Sequence, residues 1–281
     1  MSNADQKPLP ISSSIPPQFP EEQQRLFREV LQLMNERQVP YVVSGAFALQ
    51  QHTGIWRDTK DLDLFLPGER VADALCYLKQ DGFETEVCDT IWLAKAHRDD
   101  FFVDLITGMS NGVIVVDQSW VDRGSPADVV GVPSRVLAAE ELLASKLFVT
   151  RRERFDGADT AHIIFGTKGN LDWQRVLELV GEHWEVLLWT LIFFRYCYPA
   201  HTDFVPRSVW ADLLGRLQTE IENPNTNAIF RGSLIDDKMF AIDVHEWGMY
   251  DLVNDYREKR VHKIPEDAAM GCMDGVEEPA A

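Results

Sequence analysis

The feature of this sequence that most restricts its fold is a short apolar run at residues 101–106 that contains one carboxylate. The run FFVDLI is apolar at positions that point to both faces of an extended chain, which is typical of a buried central strand. A lone carboxylate in such a strand costs several kcal/mol unless it binds a cation or accepts a full set of hydrogen bonds. The run therefore predicts a sheet, and it predicts a partner for Asp104.

A second predicted strand, residues 61–66 with the sequence DLDLFL, carries two more carboxylates. Because side chains alternate along a strand, Asp61 and Asp63 share one face and the leucines share the other. An isolated pair of this kind is also common at an exposed strand start. If this strand lies beside the first, the pair meets Asp104, and three carboxylates suit a hard divalent cation. The alternative is that backbone donors or Arg98 satisfy Asp104.

A small-residue turn, Ser44-Gly45, lies between a predicted strand at 41–43 and a predicted helix at 46–51. The free N–H groups at a helix start favour an anion, and glycine permits close approach to the backbone. Small residues are common at any tight turn, so this signal is weak when it stands alone. Together with three carboxylates, the turn indicates a place for a metal-bound polyphosphate.

The order of the predicted elements changes near the middle of the chain, from mixed strands and helices to helices. Four segments are predicted: a disordered segment at 1–20, an α/β domain at 21–135, a mainly helical domain at 136–262, and an acidic flexible tail at 263–281. A further strand is expected at 129–132, whereas the segment 230–258 fits neither period. The fold class is therefore α+β, with a small mixed sheet, flanking helices and a helical C-terminal half.

The charge of the chain restricts its partners. With 27 Lys+Arg against 45 Asp+Glu, the formal net charge is −18, which argues against binding long duplex nucleic acid by broad phosphate neutralisation. A local basic cleft and a cationic partner remain compatible with this charge.

The cysteines and the apolar runs predict the compartment. The four cysteines lack metal-site spacing, so they are expected to be free thiols in a reducing compartment; they are Cys76, Cys88, Cys197 and Cys272. No apolar run is long enough to predict a membrane span or a signal peptide. We therefore expect a cytoplasmic protein without a membrane partner.

Taken together, the turn and the carboxylates resemble the signature of the nucleotidyltransferase superfamily with the polymerase-β-type fold. That signature has a Gly-Ser or Gly-Gly turn, a D-x-D or D-x-E on the next strand, and a third acidic residue on a later strand. The phrase RDTKDLD at 57–63 is further similar to that of bacterial stand-alone nucleotidyltransferases and AbiEii-type abortive-infection toxins. The resemblance covers roughly residues 40–165, and it departs from the pattern in the order Ser44-Gly45.

The resemblance implies an activity and a set of site residues. It implies transfer of NMP from an NTP, such as ATP, to a hydroxyl acceptor, with release of pyrophosphate. Asp61, Asp63 and Asp104 would then be catalytic and would bind Mg²⁺. The implied nucleotide-binding residues are Ser44, Gly45, Arg57, Thr59, Lys146, Arg154 and Asp156, and Asp159 belongs to the same charged cluster as the last two.

Several alternatives stay open at this point. Arg57 could only pair with a local acid, and Lys146 could only extend along a helix flank. The acceptor could be a small molecule, including a cationic antibiotic, or the end of an RNA such as tRNA. The chain could instead be a non-catalytic nucleotide-binding module of the same fold, or a metal-dependent phosphohydrolase. All three carboxylates are present, which favours the active transferase because a degenerate site usually loses one.

The tryptophans of the helical half give a last expectation. Trp173, Trp184 and Trp189 recur within predicted helices, and we expect them to pack in the core rather than to stack on bases.

Overall fold

A seven-stranded mixed sheet forms the centre of the protein in the computed structural model, which describes residues 20–56 and 59–270. The strands are β1 (Val42–Val43), β2 (Asp61–Phe65), β3 (Glu84–Asp89), β4 (Leu93–Arg98), β5 (Phe101–Ile106), β6 (Ser125–Val129) and β7 (Val132–Val136). Their order across the sheet is β3-β4-β5-β2-β1-β7-β6. The pairs β2–β5 and β1–β7 are parallel, and the other neighbours are antiparallel.

Twelve α-helices in the described part of the chain surround or follow this sheet. They are α1 (Glu21–Glu36), α2 (Gly45–Thr53), α3 (Val71–Gln80), α4 (Gln118–Arg123), α5 (Ala139–Leu147), α6 (Gly157–Gly166), α7 (Trp173–Val180), α8 (Trp184–Cys197), α9 (Arg207–Glu222), α10 (Gly232–Ile235), α11 (Ala241–His245) and α12 (Leu252–Glu258). Short 3₁₀ turns at 68–70, 181–183 and 199–204 complete the set. The predicted α+β class is confirmed.

Alternation along the central strands produces one buried face. Leu62 and Leu64 of β2 stand opposite Val103 and Leu105 of β5, and all four are fully buried. Helices α1 and α3 pack against the sheet. Burial of this apolar face is the main favourable term that holds the two strands side by side, at about 25 cal/mol for each Å² removed from water. The opposite alternation leaves the carboxylates on the other face.

The helical half packs onto the sheet through α2. Helices α5 and α6 both contact α2, α5 also contacts α7, and α6 contacts α8. One continuous cluster of buried apolar side chains joins these helices to the sheet. Because α2 begins directly after β1, this packing brings the start of α6 close to the carboxylate face of the sheet.

Some local expectations are corrected by the structure. Residues 129–132 do not form one strand: Val129 ends β6, Val132 begins β7, and Val130 and Gly131 between them adopt positive φ and reverse the chain. The segment 230–258 folds into the three short helices α10 to α12. Trp189 is 46% exposed and is therefore not a core residue, whereas Trp173 and Trp184 are buried.

The chain ends and the cysteines differ from the predictions in part. The described residues do not include 1–19 or 271–281. Most of the predicted disordered segment and the end of the predicted tail fall in these two ranges. Residues 263–270 pack on the fold instead of forming a free tail, since Ile264 is buried and its N–H donates to the Thr90 carbonyl at 2.7 Å.

Cys88 and Cys197 are free, but Cys76 is disulfide-bonded, which corrects the expectation of free thiols throughout.

Across the ranges 20–56 and 59–270, no helix combines the length and the apolar character needed to cross a bilayer.

Candidate active site

Two neighbouring strands bring three carboxylates to one place. In the parallel register of β2 and β5, Asp63 stands opposite Asp104, and Asp61 shares their face. One carboxylate oxygen from each residue lies within 4.8 Å of the others. We call these three residues the carboxylate triad. The prediction that the two strands are adjacent is confirmed, and Arg98 does not satisfy Asp104, because it pairs with Glu29 at 2.7 Å.

The carboxylate triad is electrostatically strained. Desolvation, followed by the charges of Asp61 and Asp104, raises the pKa of Asp63 to about 7. Desolvation also raises the pKa of Asp104 above its ordinary value, although the hydrogen bond and charge of Lys95 oppose this change. Both carboxyls are thus disfavoured as anions first by burial, and Asp63 also by the two neighbouring carboxylates. Such a site favours a bound cation.

Lys95 is a residue of this site that the sequence analysis missed. Its Nζ lies 2.8 Å from Oδ1 of Asp104, and the two residues stand opposite each other in the β4–β5 register. The signal was present in the turn at Asp99-Asp100, because a two-residue reversal fixes the pairing of the flanking strands. Counting back from Phe101 opposite Arg98 places Lys95 beside Asp104.

The turn between β1 and α2 is built around Asp63. The N–H of Ser44 donates to the Asp63 carbonyl at 2.9 Å, and Gly45 adopts φ +57. A Cβ at position 45 would lie 1.8 Å from Oδ2 of Asp63, so only glycine fits both the conformation and the space. The start of α2 is thereby held directly against the carboxylate triad.

The segment before β2 contributes one described side chain to the site. Thr59 donates its hydroxyl to a carboxylate oxygen of Asp61, which fixes the orientation of that carboxylate. Gln23 of α1 in turn donates to the Thr59 carbonyl at 2.7 Å. Arg57, predicted to bind nucleotide, lies outside the described residues.

A second charged cluster faces the carboxylate triad from the helical half. Lys146 of α5 lies 3.0 Å from Asp156 and 2.8 Å from Asp159, and Arg154 lies 3.1 Å from Asp156. We call these four residues the ion-pair cluster. Lys146 therefore does not simply extend along a helix flank, since both carboxylates hold its ammonium.

The ion-pair cluster is balanced in charge. Burial raises the pKa of Asp156, but the charge of Lys146 and the hydrogen bond of Arg154 outweigh it, and the pKa is lowered overall. The hydrogen bond that Arg154 donates to Asp156 is the largest cause that raises the pKa of Arg154. Lys146 is 12% exposed, whereas Arg154 is 70% exposed and can turn toward solvent or a ligand.

One cavity joins the two clusters. Its volume is about 430 Å³, and it is lined by the carboxylate triad, by the ion-pair cluster, and by Ser44, Gly45 and Thr59. Every described residue that the sequence predicted for the site therefore reaches the same cavity. The cavity continues along a wall that the sequence analysis missed, formed by Trp92, Ile106, Met109, Phe148 and Arg151 among others. Apart from Ile106, the last residue of β5, these residues lie between strands and helices, where periodic patterns give no signal.

Comparison with protein families agrees with this geometry. Residues 23–185, more than half of the chain, match the family described as nucleotidyl transferase of unknown function (DUF2204). The chain belongs to this family. The predicted enzyme class, a nucleotidyltransferase, is thereby confirmed, whereas the closeness to AbiEii-type toxins stays a prediction.

The comparison with solved structures gives distant likenesses to several proteins. ANT(2'')-Ia in complex with adenylyl-2''-tobramycin is 19% identical, with 63% of this chain and 99% of that chain covered and a TM-score of 0.38. Lincomycin-bound LnuA, a lincosamide antibiotic adenylyltransferase, is 17% identical, with coverage of 52% and 98% and a TM-score of 0.37. An antigenic nucleotidyltransferase-like protein from Paracoccidioides brasiliensis is 18% identical, with coverage of 66% and 94% and a TM-score of 0.40. No match was found among curated proteins.

Proposed function

We propose that this chain transfers NMP from an NTP to a hydroxyl group of an acceptor and releases pyrophosphate, with Mg²⁺ as the metal cofactor. The observation that carries the proposal is the carboxylate triad, whose ligand atoms lie within 4.8 Å of one another in a cavity shared with Lys146 and Arg154. Negative ligands for a metal and positive groups for phosphate thus line one cavity.

The donor set of the carboxylate triad fits a hard divalent cation. Three carboxylates offer only oxygen ligands, which is the chemistry that Mg²⁺ prefers. Their crowding is also unbalanced, as the raised pKa of Asp63 indicates. Asp61, Asp63 and Asp104 would hold the metal, and the metal would supply Lewis-acid stabilisation of the phosphate oxygens.

Other groups of the chain would bind the triphosphate. The start of α2 presents free backbone N–H groups and the positive end of the helix dipole, with Ser44 and Gly45 at its first residues. Lys146 offers a point charge, and the exposed guanidinium of Arg154 matches phosphate geometry. Thr59 and Asp156 would act indirectly, because Thr59 orients Asp61 and Asp156 holds Lys146 and Arg154.

Asp104 is the best-placed group to receive the proton of the acceptor. In the transfer, the acceptor oxygen bonds to the α-phosphorus, the bond from that phosphorus to the bridging oxygen breaks, and the electron pair leaves on pyrophosphate. Desolvation raises the pKa of Asp104, which improves it as a base. Its second oxygen, Oδ2, is the one that Lys95 does not contact.

We favour a small molecule over a tRNA end as the acceptor. A cavity of about 430 Å³ is in the usual range for small ligands. The net charge of −18 opposes association with a long polyanion.

The test is an incubation with Mg²⁺, each NTP labelled at the α-phosphate, and separate acceptors that include tobramycin, lincomycin and tRNA. Transfer of label to one acceptor with release of pyrophosphate supports the proposal. The Asp61→Ala/Asp63→Ala variant should lose this transfer, whereas Asp100→Asn, an exposed change in the β4–β5 turn, should keep it.

Two other results would point to the alternative functions. Free NMP or inorganic phosphate without a labelled acceptor would indicate a phosphohydrolase that uses water. Nucleotide binding without any turnover would indicate a non-catalytic module of the same fold.

A further inference from the structure

A row of charged residues, one lysine among three carboxylates, crosses four strands of the sheet. Glu86 of β3 stands opposite Lys95 of β4, Lys95 opposite Asp104 of β5, and Asp104 opposite Asp63 of β2. Residues directly opposite on one face have Cβ atoms about 5 Å apart, so each interacts with its neighbour. Lys95 is therefore the cation that stands between the carboxylate triad and the edge of the sheet.

Lys95 is held in place by two contacts. Its Nζ lies 2.8 Å from Oδ1 of Asp104 and 4.3 Å from the ring centroid of Phe102. Its side chain is 26% exposed, and that of Asp104 is 13% exposed. An ion pair that is shielded in this way, with the cation also over an aromatic face, is much stronger than a surface pair. One oxygen of Asp104 is thereby engaged.

This arrangement has consequences for metal binding. A fixed ammonium beside a ligand carboxylate repels a divalent cation, and repulsion between charges about 4 to 6 Å apart is large inside a protein. It also neutralises part of the negative charge that attracts the cation. The phosphates of a nucleotide would restore that negative charge and would add oxygen ligands of their own.

We propose that Lys95 is a positioning residue that orients Asp104 and also weakens the affinity of the carboxylate triad for free divalent metal, so that metal and nucleotide bind together. This inference rests on the proposed function, because it concerns the same metal site. It goes further in that it assigns a role to Lys95 and couples the two ligands.

A purely structural role for Lys95 makes the opposite prediction. If Lys95 only stabilised the β4–β5 hairpin, its removal would loosen Asp104 and weaken metal binding. The proposal predicts tighter binding of free metal when the ammonium is removed. The direction of the change therefore separates the two roles.

The experiment is a titration with Mn²⁺, followed by electron paramagnetic resonance, without and with a non-hydrolysable NTP analogue. Without nucleotide, Lys95→Met should bind Mn²⁺ about tenfold more tightly than the wild type, and Lys95→Arg should resemble the wild type. Lys79→Met is the matched control, because the ammonium of Lys79 donates to the backbone carbonyls of Ala269 and Met270 and not to a residue of the carboxylate triad. Addition of the analogue should tighten Mn²⁺ binding more in the wild type than in Lys95→Met, because its phosphates offset an ammonium charge that only the wild type has.

Other results would overturn the inference. Equal or weaker Mn²⁺ binding by Lys95→Met, with binding still lost in Asp61→Ala/Asp63→Ala, would refute the role of Lys95 and leave the metal site intact. If the wild type bound no Mn²⁺ at the carboxylate triad even with the analogue, the proposed function would fail as well. Circular dichroism checks the fold, and Lys95→Gln gives the same measurement if Lys95→Met does not fold.

Discussion

The two charged clusters of the cavity differ in how their charge is balanced. The carboxylate triad has three carboxylates, and Lys95 is the cation in contact with it among the described residues. The ion-pair cluster has two carboxylates and two cations. Accordingly, the pKa of Asp63 is raised to about 7, whereas the pKa of Asp156 is lowered.

This difference in charge balance indicates which role each cluster suits. The ion-pair cluster is already satisfied, so it holds Lys146 and the start of α6 in a fixed position facing the sheet. Without a bound cation, the negative charge of the carboxylate triad is not balanced, and its carboxylates repel one another. The ion-pair cluster therefore fixes the cations that are proposed to bind phosphate, and the carboxylate triad keeps a negative charge that a cation could balance.

The largest expected effect comes from removing one charge of the carboxylate triad. Asp63→Asn keeps the size of the side chain but removes a metal ligand, and the rate of nucleotidyl transfer should fall by about 10³-fold. Steady-state measurement of pyrophosphate release tests this expectation. Asp100→Asn, in the exposed turn of the same hairpin as Asp104, is the control. A transfer rate in Asp63→Asn close to that of the wild type would show that the carboxylate triad is not the reaction centre.

The next effect is on stability and comes from the ion-pair cluster. Lys146→Met removes the cation shared by the buried Asp159 and the partly buried Asp156, which should lower the free energy of unfolding by about 3 kcal/mol. Arg154→Met removes an exposed cation from the same cluster and should cost less than about 1 kcal/mol. Urea denaturation measures both values. Equal losses of unfolding free energy in Lys146→Met and Arg154→Met would mean that burial does not determine how much Lys146 contributes to stability.

A smaller effect concerns pH and applies to the carboxylate triad alone. The pKa of Asp63 is about 7 in the fold and close to 3.8 in an unfolded chain, so the folded state binds more protons between these values. The metal-free protein should therefore lose stability as the pH rises from about 4 to 7. The loss should be about 2 kcal/mol, less than the full shift of Asp63 alone would give, because the three coupled carboxylates share the bound proton.

Thermal unfolding across this pH range, with and without Mg²⁺, measures the effect. Saturating Mg²⁺ should remove the decline, and Asp63→Asn should flatten it, since each removes the crowded charge. A stability that rises between pH 4 and 7 in the metal-free protein, with no change in Asp63→Asn, would contradict the unbalanced charge of the carboxylate triad.

The smallest effect separates backbone strain from contact with the site. In both Gly45→Ala and Gly82→Ala, the backbone strain of a side chain at positive φ should by itself cost about 1 to 2 kcal/mol of stability. Only position 45 also meets Asp63, because nothing lies within 4 Å of a Cβ at position 82. Calorimetric titration with Mn²⁺ should therefore show weaker binding in Gly45→Ala and unchanged binding in Gly82→Ala. Equal binding in both would show that the turn does not position Asp63.

Much of the carboxylate triad could be predicted from the sequence, because it depends on alternation within strands. Asp61 and Asp63 share a face whatever the neighbouring strand is, and a carboxylate in the run 101–106 needs a partner. Only the alternative that named Arg98 was wrong, because the cation that contacts Asp104 is Lys95. Register between strands decides this contact, and composition alone does not reveal register.

The cavity wall and the segment 230–258 were harder to predict, for a related reason. Trp92, Met109 and Arg151 lie near the ends of elements, and only tertiary packing brings them together. Likewise, α10 to α12 are too short to show a helical period. Trp189 was expected in the core because apolar residues surround it on α8, yet its own position on the helix faces outward.

The most direct test of the central claim is a crystal structure with Mn²⁺ and a non-hydrolysable NTP, with the metal located by its anomalous signal. The account predicts a metal peak about 2.1 Å from oxygens of Asp61, Asp63 and Asp104, with the triphosphate between the carboxylate triad and Lys146. A nucleotide and metal bound elsewhere, with the carboxylate triad free of metal, would contradict it.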